Sequence, residues 1–146
     1  MSVSYWMIEG VGINVDKIEP HLNKEKLAQL LAAQLPNDDI VSEIIEKGLY
    51  DDLDINDFMY GEPFANLADL LTHCDDSDSL CHGEDGEFGV YLYYPPSLPW
   101  QRTEKDPETL EEVHRRIIEA VQRVTDLSSE KIEELIDDDL HVVGIG

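Results

Sequence analysis

The sequence predicts a single α+β domain: a small, mainly antiparallel sheet of about four strands, including N- and C-terminal strands and a hairpin, packed with about five helices. Three observations lead there. Leucine, isoleucine and valine recur at three- and four-residue spacing in several segments, the spacing of one helix face. β-Branched and aromatic residues concentrate near both ends of the chain, as strands require. Asp85-Gly86 separates two further strand-like segments and suits the positive-φ positions of a tight hairpin turn. The 146 residues fit one domain, and a globule of that size hides roughly 70% of the surface its unfolded chain exposes. With 42% hydrophobic residues the chain can fill a core, unlike the weakly apolar, highly charged sequences that stay disordered.

The first strand is expected over Ser4–Asn14 (SYWMIEGVGIN), where Gly10 and Gly12 signal a bulge or a close backbone approach. Asn23 then suits the cap of a helix whose Leu27, Leu30, Leu31 and Leu35 form one stripe, and Pro36 prevents its continuation. Asn37 can cap a second helix, with Asp38 and Asp39 at its positive dipole end, Ile40, Val41, Ile44 and Ile45 along its buried side, and Gly48 as its stop. Leu49 to Gly61 is irregular, with a short helix expected from about Asp54. Pro63 reads as the first residue of the next helix, ahead of Phe64, Leu67, Leu70 and Leu71.

The hairpin follows, its second strand Val90–Tyr94 being the stronger, and Pro95, Pro96 and Pro99 force an extended connection. Asp106 as cap and Pro107 as first residue are expected to open a helix carrying Leu110, Val113, Ile117, Val121 and Val124. Ser128 or Ser129 caps one more helix, and Leu140–Ile145 (LHVVGI) reads as a buried final strand.

Charge is the outlying property. Thirty-three acidic residues stand against ten Lys and Arg, a net charge of −23, where solubility alone asks for about 2 to 8 units in a small domain. Such repulsion disfavours direct contact with nucleic acid or an anionic membrane and makes a basic protein or a divalent cation the natural counterpart. No 18-residue apolar run exists for a membrane span, and the N-terminus lacks the basic and apolar regions of a secretory signal, so a cytoplasmic protein is expected. Two cysteines, Cys74 and Cys81, are too few for a disulfide scaffold.

The acids are unevenly spread. Between Gly48 and Gln101 there is no Lys or Arg, and the expected partner-binding residues lie in this stretch: Asp51, Asp52, Asp54, Asp57, Asp75, Asp76, Asp78, Glu84, Asp85 and Glu87. The bland reading is a solvated face. The functional reading is a surface whose carboxylates are spaced like phosphates and occupy the cationic groove of a nucleic-acid-binding protein. In charge and size the chain is similar to phage-encoded anti-restriction and anti-CRISPR proteins and to acidic immunity proteins that neutralise nuclease toxins. No residue motif ties it to one of these, so no functional residues carry across.

A second acidic group, Asp126, Glu130, Glu133, Glu134, Asp137, Asp138 and Asp139, has only Lys131 in opposition, and its Asp run at a helix C-terminus would oppose the dipole. His73, Cys74, Cys81 and His82 bring two Cys-His pairs around an acidic loop and are candidate zinc ligands, but the six-residue gap exceeds the usual spacing. The loop also lacks the Gly and Glu of a calcium-binding EF-hand. With no phosphate-binding Gly loop, nucleophile elbow or HExxH helix, neither catalysis nor a cofactor is expected. Tyr91, Tyr93 and Tyr94 with PPSLPW around Trp100 offer the alternative of a phage, mobile-element or housekeeping domain docking through an aromatic patch.

Overall fold

The computed structural model of the protein describes residues 5–59, 63–74, 79–85, 89–95 and 106–145. Strands β1 (Tyr5–Asn14), β2 (Cys81–Asp85), β3 (Gly89–Tyr94) and β4 (Asp137–Ile145) form one sheet in the order β2-β3-β1-β4, and every pairing is antiparallel. The α-helices are α1 (Lys24–Gln34), α2 (Asp39–Lys47), α3 (Leu67–His73), α4 (Leu110–Gln122) and α5 (Ser129–Leu135). Short 3₁₀ turns occupy Val15–Lys17, Glu19–His21, Tyr50–Asp52 and Ile55–Asp57. The expected α+β class holds, with the first and last strands adjacent in the middle and at one edge of the sheet.

Alternation along β1 sends Val11 and Ile13 toward the main core, and Val15 follows from the first 3₁₀ turn; the same core holds Leu27 and Leu31 of α1, Leu70 and Leu71 of α3, Ile117 and Val121 of α4, and Ile132 of α5. The opposite face carries a smaller cluster of Ile8, Tyr91 and Leu140. β1 changes register between Gly10 and Gly12. Gly10 has φ of +128°, and a Cβ there would fall 2.1 Å from the Tyr94 carbonyl oxygen, so the bend of β1 across β3 admits no side chain.

Several boundaries differ from the sequence reading, each for a local reason. α1 begins after Asn23 as expected, the Asn23 side chain accepting the Lys26 N–H at 3.1 Å. In α2 the cap is Asp38 rather than Asn37, its carboxylate accepting the Val41 N–H at 3.0 Å. α3 starts behind Asn66 instead of at Pro63, because Asn66 accepts the Asp69 N–H at 2.8 Å. α4 starts behind Thr109, whose hydroxyl accepts the Glu112 N–H at 3.1 Å. Asp106 is engaged elsewhere, accepting a 3.2 Å bond from the Tyr94 hydroxyl. Asp137, Asp138 and Asp139 open β4 and are not the end of α5, which stops at Leu135 with Ile136 extended. In the hairpin, Asp85 pairs with Gly89 as the last residue of β2, and Gly86 lies outside the described residues.

Candidate functional site

The segment after α2 is fixed by three apolar anchors: Leu53, Phe58 and Met59 are 3%, 3% and 6% exposed. Their burial turns the intervening acids outward. Asp51, Asp52, Asp54 and Asp57 are all exposed. Asp54 also shapes the loop, its carboxylate accepting the Asn56 N–H at 2.9 Å to cap the Ile55–Asp57 turn. Among the described residues no lysine, arginine or histidine forms an ion pair with any of these four carboxylates. Lys24 approaches, but its ammonium donates to the Asp51 backbone carbonyl at 3.0 Å and leaves the side-chain oxygens unmatched.

The loop faces the start of α1 across an open groove of about 480 Å³, lined by Glu19, Pro20, Leu22, Lys24, Leu27 and the run Asp51 to Ile55. Buried Leu27 and Leu53 contribute apolar walls. A small adjoining cavity shares Glu19 and Ile55 with this groove and adds Asp16, Asn56, Asn66 and Val90. Asp16 lies against the hairpin: a Cβ on Gly89, which has φ of +111°, would fall 2.2 Å from its carboxylate. Asn66 reaches Glu84 through a long 3.5 Å contact from its amide nitrogen. Asp16 and Glu19 therefore join Asp51, Asp52 and Asp54 around the groove and its adjoining cavity, and exposed Glu84 touches Asn66 of that cavity. Sequence reasoning missed Asp16 and Glu19. They precede the Lys-free stretch by some thirty residues, and only the fold places them beside it.

Of the remaining expected contact residues, Asp75, Asp76, Asp78 and Glu87 lie outside the described residues, and Asp85 is described only as the end of β2. Asp69, which lies in the same stretch without Lys or Arg, is an internal group. Its side chain is 13% exposed, accepts the Ala65 N–H at 2.9 Å, and faces the His73 and His82 rings at 3.1 and 3.8 Å.

Those histidine contacts also bear on the candidate zinc ligands. His73 and His82 converge on Asp69, Cys74 is buried at the end of α3, Cys81 opens β2, and neither cysteine is in a disulfide. Among the described residues no group of three His, Cys, Asp or Glu could hold a metal ion. Burial, and secondarily the neighbouring Cys81, push the Tyr93 phenol above its ordinary range. Tyr91 is buried in the smaller cluster and Tyr93 packs against it, so these rings of the aromatic segment serve the sheet, while Pro96, Pro99 and Trp100 lie outside the described residues.

The second acidic region is built differently, and Lys131 is not its only opposing cation. Arg115 donates to Glu112 and to Glu119, the latter at 2.7 Å, and Arg116 donates to Glu112 at 3.3 Å. The Arg115 hydrogen bond is the main reason the Glu112 carboxyl sits below the usual carboxylate range. Lys26 pairs with Asp126 at 3.0 Å, Lys131 with Glu134 at 3.6 Å, and His114 lies between Glu133 and Asp138.

No family model, curated protein or solved structure matches the chain. Among the described residues no helix is long and apolar enough to cross a membrane.

Proposed function

We propose that this is a non-enzymatic acidic binding protein, an inhibitor or decoy that occupies the basic surface of a nucleic-acid-binding protein or nuclease. The observation behind this reading is the set of exposed carboxylates at Asp51, Asp52, Asp54 and Asp57, which have no ion-pair partners among the described residues; the first three line a groove with Glu19, and Asp16 lines the adjoining cavity. Unmatched like charges cost folding stability. Clustered on one loop, they also create a field that speeds encounter with a cationic surface and fixes its orientation. The same field repels DNA and RNA, so the partner is a basic protein and not nucleic acid itself.

The defining experiment retains partners on the immobilised protein at low salt and tests whether duplex DNA displaces them. A captured basic protein that DNA releases, and that the Asp51→Asn, Asp52→Asn, Asp54→Asn, Asp57→Asn variant fails to hold, is the expected result. Binding that is indifferent to salt, to DNA and to these four substitutions would reject the reading. Asn at position 54 retains a side-chain oxygen able to cap the 3₁₀ turn, so the variant should fold.

A further inference from the structure

His114 stands where α4, α5 and β4 meet. Its side chain is 14% exposed, its Nδ1 lies 3.3 Å from Glu133 Oε1 of α5, and its Nε2 lies 2.5 Å from Asp138 Oδ1 at the start of β4. A carboxylate only accepts hydrogen bonds, and a neutral imidazole offers one N–H. Two carboxylates at two ring nitrogens are satisfied together only by the imidazolium, which offers two. We propose that His114 is a proton-dependent latch: doubly protonated, it ties α5 and the first residues of β4 to α4, and on losing a proton it releases one of the two.

The charges around the ring favour this assignment. From its own helix, Glu111, Glu112, Arg115 and Glu119 line the same groove, and Arg115 is committed to Glu112 and Glu119. From α5 come Glu133 and the uncharged Ser129. From β4 comes Asp138, beside an Asp137 whose carboxylate accepts the Asp139 N–H at 2.9 Å. On β1, which also packs against α4, Glu9 faces His141 at 3.8 Å. His114 is thus the cationic link between the two carboxylates, and without its second proton Glu133 and Asp138 face each other across a neutral ring. The Asp run that gains nothing from the α5 dipole acquires a structural use here.

The direction with pH follows. The latch stabilises the fold while the ring holds both protons, so its contribution is present on the acid side and is lost once the ring gives up its second proton. Urea denaturation of the wild type and of His114→Gln at pH 5.5 and pH 8 reads this directly. The folding equilibrium should favour the wild type by roughly five- to tenfold at pH 5.5, with most of that advantage gone at pH 8. An advantage that is the same at both pH values, or larger at pH 8, overturns the proposal. A second reading keeps the test decisive should the glutamine variant fold poorly. Nitrogen-15 spectra of the wild type at pH 5.5 should show protons on both His114 ring nitrogens, with the Nε2 proton signal lost or moved in Asp138→Asn. A singly protonated ring at that pH would sink the latch.

Discussion

The chain holds two acidic regions of opposite construction. Around Asp51–Asp57 the carboxylates project from a loop anchored by Leu53, Phe58 and Met59, and no cation of the described chain pairs with them. Around α4, α5 and β4 the acids are at least as dense, yet Glu112, Glu119, Glu133, Glu134 and Asp138 each face an arginine, lysine or histidine. In the second region charge is paired inside the molecule, and in the first, among the described residues, it is left unpaired. A count of acids cannot tell the two apart, because availability depends on which cations the fold brings near.

The largest expected effect breaks this comparison directly. Neutralising Asp51, Asp52, Asp54 and Asp57 together should weaken binding of a captured basic partner by roughly one hundredfold at low salt, mostly through slower association. A matched set in the second region, Glu119→Gln, Glu133→Gln, Glu134→Gln and Asp138→Asn, should change it by less than about threefold, because those charges already have local partners. Surface plasmon resonance across a salt series separates the outcomes, and equal losses would show that only net charge matters. On stability the ranking reverses. Thr109→Ala removes the cap of α4 and should cost about 1 kcal/mol by urea denaturation, whereas Asp51→Asn and Asp52→Asn should fall within about 0.5 kcal/mol of the parent and on the stabilising side, since each relieves repulsion.

How much of this was legible beforehand depends on the range of the interaction. α1 was readable because its cap, Asn23, and its stripe of leucines are local. The start of α4 was not, since Asp106 and Thr109 are both competent caps. Thr109 is three residues before Glu112, the spacing of a capping box, and Asp106 instead takes the hydroxyl of Tyr94, a residue of β3. α3 was misplaced for a similar reason, a proline at 63 competing with an asparagine at 66. The strand order β2-β3-β1-β4 rests on pairing between residues as distant as Tyr5 and Ile145, which periodicity does not encode. The candidate site divides the same way. Asp51, Asp52, Asp54 and Asp57 were visible as a Lys-free acidic run, while the addition of Asp16 and Glu19, and the withdrawal of Asp69 into contacts with Ala65, His73 and His82, required the tertiary fold.

The smallest expected effect tests whether the ion pairs of the second region stabilise the fold at all. Hydrogen bonds hold two carboxyls there below their ordinary range, Glu112 chiefly through Arg115 and Asp126 chiefly through the Asn23 amide, with Lys26 second. A carboxyl whose proton is held more weakly in the folded chain than in the unfolded one stabilises the fold above its unfolded value, and that stabilisation drains away as acid protonates it. The urea midpoint should therefore fall as pH drops below about 4, and Arg115→Met should flatten part of that fall while leaving a smaller difference from the parent at low pH than at neutrality. Asp126 is exposed and Glu112 only half-buried, so screening keeps the effect small and 1 M salt should reduce it further. If Arg115→Met left the acid limb unchanged, the pairs of α4 would be neutralising decoration, and the contrast between the regions would rest on availability of charge alone and not on its use in holding the fold.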